Sequence, residues 1–91
     1  MNKGIEIVIS GIVQGVGFRA FTRKTAREMG LKGYVKNLPD GRVYVHVEGD
    51  EAVIEKFVSL LRQGPASAIV KSMEIKNGEY TGQFQDFQIR F

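Results

Sequence analysis

Glycines at positions 11, 15 and 17 precede Arg19 in the run SGIVQGVGFRAFTRKTAREMG, residues 10–30. Gly15 and Gly17 can hold positive φ, which turns successive N–H groups inward, and they carry no Cβ to obstruct a ligand. A helix starting just after them adds unpaired N–H groups and a partial positive charge at its N-terminus. From the first helical turn, the Arg19 guanidinium can fold back over the hollow and hold two oxygens at once. The loop therefore reads as a cup for a small oxyanion. The competing explanation is a strand-to-helix corner made with glycine, followed by a solvated arginine. Neither common nucleotide signature is present: Gly-x-Gly-x-x-Gly fails at Ala20, and no lysine follows at the spacing of a P-loop. A single phosphate group fits the spacing better than a nucleotide.

Few other residues offer chemistry. His46 is the only histidine and cannot build a metal site alone, so it reads as a residue of a sheet face. Ser10, Ser59, Ser67 and Ser72 lack a nucleophile-elbow context. Asp40 belongs to a turn, Asp50 to a helix cap, and Asp86 precedes a strand. Asn37 stands at the end of a strand that should finish beside the glycine loop. Its carboxamide both donates and accepts, so it can hold a water at a fixed angle. Taken alone, it reads first as the asparagine that starts a turn ahead of Pro39-Asp40-Gly41. An Arg–Asn pair contains no strong acid or base, which restricts it to substrates with a good leaving group. In an acyl phosphate that group is a carboxylate, whose conjugate acid has a pKa of roughly 4. Neutralising the phosphoryl oxygens and aligning water in line with the P–O bond would then suffice.

The elements that must position these residues follow from hydrophobic period. IEIVIS alternates and reads as a first strand over 5–10. Phe18, Phe21, Thr22, Thr25, Ala26 and Met29 fall at helical spacing, and Gly30 closes that helix. LKGYVKN and RVYVHVEG flank LPDG and make a hairpin, with Val43, Val45 and Val47 on one face and Tyr44, His46 and Glu48 on the other. Asp50 caps a second helix with Val53, Ile54, Phe57, Val58, Leu60 and Leu61 as its apolar stripe, and Gly64-Pro65 stops it. A fourth strand over 69–75 alternates imperfectly, with Ile69, Met73 and Ile75 on its apolar side. KNGEYTGQ reads as a loop, and Phe87, Ile89 and Phe91 mark a closing strand. The order is βαββαβ with an extra C-terminal strand. It predicts an α+β, ferredoxin-like two-layer sandwich: an antiparallel sheet with two helices on one face.

At 91 residues one domain, 1–91, is expected. The absence of cysteine excludes disulfides and thiolate metal sites. No apolar run reaches the ~18 residues of a membrane span and no signal-peptide pattern opens the chain, so a cytoplasmic protein is expected. Thirteen basic against ten acidic residues give +3, a mild and scattered excess that fits an anionic partner without demanding one.

GIVQGVGFR (11–19), GYVKNLPDGRV (33–43), VEGD (47–50), QGPASAIV (63–70) and FQIR (87–90) resemble an acylphosphatase, in the family's order and over almost the whole chain. The resemblance implies hydrolysis of a carboxyl-phosphate anhydride to a carboxylate and inorganic phosphate, without metal or organic cofactor. It places phosphate binding on Arg19 and the N–H groups of Gln14, Gly15, Val16, Gly17 and Phe18, and orientation of the attacking water on Asn37. Family substrates include acetyl phosphate, carbamoyl phosphate and 1,3-bisphosphoglycerate, and nothing in the chain chooses among them. Ile12 and Tyr44 stand where many members carry a basic and an acidic residue. A monomer acting on a small molecule, with neither membrane nor nucleic acid as partner, is expected. Two other classes stay open at this level. One is a noncatalytic acyl- or carbamoyl-phosphate binding domain. The other is an RNA-binding module, since the RNA-recognition fold shares this topology.

Overall fold

A computed structural model describes all 91 residues. The elements are β1 (Asn2–Ile12), α1 (Phe18–Glu28), β2 (Lys32–Asn37), β3 (Val43–Asp50), α2 (Glu51–Gln63), β4 (Ile69–Gly78) and β5 (Phe87–Arg90). They build one five-stranded sheet in the order β4-β1-β3-β2-β5. Pairing is antiparallel except at β2–β5, which is parallel, so the sheet is mixed rather than wholly antiparallel. The reason is topological. β4 and β5 lie on opposite edges, and the chain turns back after β4 and crosses the sheet, entering β5 in the direction of β1 and β2.

Alternation sets the core. Ile5, Ile7 and Ile9 pair across β1–β3 with Val47, Val45 and Val43, and all six are buried. One row crosses every strand: Ile75, Ile7, Val45, Val35 and Ile89. Over this face α1 buries Phe18, Thr22, Thr25 and Ala26, while α2 buries Ile54, Phe57 and Leu61. The C-terminus of α1 is a Schellman turn, in which Gly30 N–H donates to Arg27 C=O at 3.1 Å and Leu31 N–H to Ala26 C=O at 2.9 Å.

The imperfect alternation expected in β4 has a structural cause. A bulge between Ser10 and Gly11 shifts the β1–β4 register. Beyond it Val70 packs against the core, while Ile69, expected on the apolar side, is 54% exposed. Gly11 is obligatory there, because a Cβ would fall 2.1 Å from the Ile69 carbonyl oxygen. β4 also runs to Gly78, three residues into the expected loop.

Residues 79–86 strap the face opposite the helices, and Glu48 pins them. Its carboxylate, 1% exposed, accepts from Thr81 N–H at 3.2 Å, Thr81 Oγ1 at 2.8 Å and Gly82 N–H at 3.0 Å, and meets His46 Nε2 at 2.8 Å. At the far end of the strap Asp86 takes a forked pair from Arg27 at 3.1 and 2.7 Å. Burial alone would raise the carboxyl pKa of Glu48. The bonds from His46, Thr81 and Gly82 outweigh it and hold the value below the ordinary 4.5. Because the folded value is depressed, this stabilisation is complete above the unfolded pKa and is lost as pH falls through the folded one. Glu48→Ala is expected to cost about 3 kcal/mol, lowering Tm by more than about 10 °C in a domain of this size. The deficit, read by thermal denaturation, should shrink below the ordinary glutamate pKa. A Tm unchanged at neutral pH would contradict the pinning role.

Candidate active site

The site forms because β1 and β2 run parallel with β3 between them, so their C-terminal ends meet at one end of the sheet. The loop after β1 and Asn37 at the end of β2 therefore converge. A side chain tightens the junction: Gln14 donates through Nε2 to the carbonyls of Leu38 and Arg42, at 2.8 and 2.9 Å. Both amide hydrogens are used, and the loop is stapled to the β2–β3 turn. That turn closes itself through Leu38 N–H to Arg42 C=O at 2.8 Å and the Asp40–Arg42 ion pair at 2.8 Å. The Arg42 backbone N–H, with its guanidinium, holds the Asp40 carboxyl below its usual range despite some desolvation.

Gly15 and Gly17 adopt φ of 75° and 78°. No protein atom lies within 4 Å of where their Cβ atoms would be, so conformation rather than crowding demands glycine there. The N–H groups of Gln14, Gly15, Val16 and Gly17 donate to no protein acceptor. Those of Phe18 and Arg19 open α1 and have no carbonyl one turn earlier in the helix.

The two helix starts differ in a telling way. α2 is capped by Asp50, whose carboxylate accepts from Ala52 and Val53 N–H, and it carries Glu51 in its first turn. α1 has Gly17 at its N-cap, no side-chain cap, no acid in its first turn, and Arg19 there instead. A cation at the positive end of a helix dipole is destabilising by roughly 0.3–1 kcal/mol. The arrangement is unfavourable for stability and favourable for an anion.

Gly15, Gly17, Phe18, Arg19 and Asn37 line one cavity of about 190 Å³, with Val13, Ala20, Ile89 and Phe91 completing its wall. Arg19 carries the cavity's only charged side chain. Its guanidinium makes no ion pair and sits 4.7 Å from the centroid of the Phe91 ring. The Asn37 side chain makes no protein hydrogen bond, and its Oδ1 is buried without a partner. Buried amide oxygens are rarely left so, because desolvating one without compensation costs about 1–3 kcal/mol.

Of the residues singled out in the sequence, Gly15, Gly17, Phe18, Arg19 and Asn37 come together. Gln14 and Val16 contribute no cavity wall. The Gln14 side chain is committed to the hairpin and Val16 packs against the core. Sequence reasoning missed the Gln14 staple and the Phe91 ring. The only hint was a long polar side chain set between apolar and glycine neighbours, and a closing strand whose alternation ran on to Phe91. No cluster of three or more His, Cys, Asp or Glu is placed to hold a metal ion.

Comparison with known proteins identifies the family. The acylphosphatase family profile matches residues 5–89. An acylphosphatase of Archaeoglobus fulgidus is 51% identical over 87 residues, covering 96% of this chain and 97% of the relative. One from Thermotoga maritima is 43% identical over 89 residues, covering 98% of each. The crystal structure of acylphosphatase from Bacillus subtilis superposes with a TM-score of 0.94 at 33% identity, covering 100% of both chains. With these relatives and this architecture, the chain belongs to the acylphosphatase family and is an acyl-phosphate hydrolase.

Proposed function

We propose that Arg19 and the N–H groups of Gln14, Gly15, Val16, Gly17 and Phe18 hold the phosphoryl oxygens of the substrate, and that Asn37 directs the attacking water. The observation that carries this assignment is that Asn37, whose side chain makes no protein hydrogen bond and whose Oδ1 is left without a partner, lines the same cavity as a guanidinium with no ion pair. A water that donates one hydrogen to Oδ1 is held at a defined angle, with a lone pair free for phosphorus.

The water oxygen forms a bond to phosphorus as the bond to the acyl oxygen breaks. The carboxylate leaves with the electron pair, and with a conjugate-acid pKa of roughly 4 it needs no general acid. The proton shed by the water passes to a phosphoryl oxygen, since no side chain lining the cavity can accept it at neutral pH. The protein supplies preorganised positive charge and alignment. No metal or organic cofactor enters this scheme.

The same reading takes residues 1–91 as a single domain acting as a monomer in the cytoplasm, on a small acyl phosphate and without a nucleic acid partner. No helix is long and apolar enough to cross a membrane. Residues 79–84 lie across the sheet face that an RNA-recognition module leaves open, which argues against the RNA reading.

Purified protein is expected to release phosphate from acetyl phosphate and benzoyl phosphate over many turnovers in excess EDTA. Stoichiometric binding without turnover, or dependence on an added metal, would overturn the assignment.

A further inference from the structure

The largest concavity is not the one just described. A bowl of about 430 Å³ opens on the sheet face opposite the helices, lined by Glu6, Tyr34, Tyr44, His46, Gln83, Phe84 and Arg90. Its volume is that of a small-molecule site. Four of its rings form one cluster. Tyr34 stacks on His46 at 5.7 Å and 20°, and Phe84 lies 5.8 Å from Tyr34 and 5.2 Å from His46. Tyr44 completes the group at 5.9 Å from Tyr34.

Charge is distributed unevenly around these rings. The acids are engaged: Glu6 accepts from the Tyr44 hydroxyl at 2.5 Å, and Glu48 is consumed by the strap. Burial, with that bond to Glu6, pushes the Tyr44 pKa up, so the phenol remains a donor. The cations rest on ring faces and have no anionic partner. Arg90 lies 3.8 Å from the Tyr34 centroid and Lys36 Nζ 5.5 Å from that of Tyr44, and neither makes an ion pair. Glu6 is on β1 and Arg90 on β5, three strand spacings or about 14 Å apart. The bowl thus has an aromatic lining, an acceptor at one rim and the Arg90 guanidinium at the other, with Lys36 beside it on Tyr44. None of it takes part in the hydrolytic cavity, which lies at the strand ends and shares no lining residue with it.

We infer that this bowl is a second binding site, for a planar aromatic ring that carries an anionic group. The ring packs against the outer side of the Tyr34, His46 and Phe84 cluster, the anion meets Arg90 with Lys36 nearby, and Glu6 accepts a hydrogen from the far edge. A nucleoside monophosphate and an aryl carboxylate both present this chemistry. A continuous nucleic acid strand does not fit, because the strap closes one side of the face.

The test is a ¹H–¹⁵N and aromatic NMR titration of wild-type protein and of Arg19→Ala with AMP, adenosine, ribose 5-phosphate and benzoate. Resonances of Tyr34, His46, Phe84 and Arg90 are expected to move with AMP equally in both proteins. Adenosine, which lacks the anion, and ribose 5-phosphate, which lacks the ring, should each bind at least about tenfold more weakly. Arg90→Ala, a surface change that leaves the fold intact, should weaken AMP about tenfold. Benzoate binding as tightly as AMP supports the aryl carboxylate as the source, and tighter AMP binding supports the nucleotide. The inference is overturned if those resonances stay still, if ribose 5-phosphate matches AMP, if Arg19→Ala abolishes the shifts, or if a single-stranded RNA outcompetes AMP.

Discussion

Asn37→Ala should lower kcat by about 100- to 1,000-fold, the loss seen when one preorganised polar group aimed at a transition state is removed. KM should stay within about twofold, because the phosphoryl group rests on the loop and Arg19 rather than on Asn37. A folded protein checks the interpretation. The Asn37 side chain makes no protein hydrogen bond and buries an unpaired oxygen, so its removal relieves a desolvation cost. The Tm of Asn37→Ala should therefore equal or exceed that of the native chain. A variant that loses activity and stability together would mark Asn37 as a residue of the turn and nothing more.

Arg19→Ala should reduce kcat/KM by about 1,000-fold and weaken inhibition by inorganic phosphate at least about tenfold. Both ground state and transition state carry the phosphoryl charge that the guanidinium faces, so KM and kcat should both suffer. Arg19→Lys keeps the charge but not the two-pronged donor geometry and should recover only a small part of the loss. Without phosphate the alanine variant should be no less stable than the native chain, since a cation at the start of α1 opposes the helix dipole. Opposite kinetic signatures, with Arg19→Ala changing only kcat and Asn37→Ala only KM, would reverse the two roles.

The sequence made the core and the meeting of the site residues legible for one reason: both follow from local period and from the parallel strand–helix–strand crossover. Val43, Val45 and Val47 alternate without interruption, and all three are buried. A strand, helix, strand unit obliges the glycine loop and Asn37 to share an end of the sheet. What stayed hidden depends on distant partners. Glu48 reads as the polar member of an alternating strand, and only the path of residues 79–86 turns it into a buried anchor. The β4 alternation fails at a bulge whose cause is Gly11, nearly sixty residues earlier. The parallel pairing of β5 follows from which edge the crossing chain reaches, and four residues of alternating pattern carry no sign of it. The sequence marks Gln14 only for its backbone N–H, and the role of its side chain depends on the distant carbonyls of Leu38 and Arg42.

Everything in the hydrolytic scheme depends on the loop amides being an anion seat. Titrating ¹⁵N-labelled protein with orthophosphate tests that directly. Saturable downfield shifts of the Gly15, Val16, Gly17 and Phe18 amides and of Arg19 Nε are expected, all giving one Kd, with Asn37→Ala binding as the native chain does. Phosphate shifts that are absent from this loop, or that centre on another surface while acyl phosphate is still hydrolysed, would contradict it.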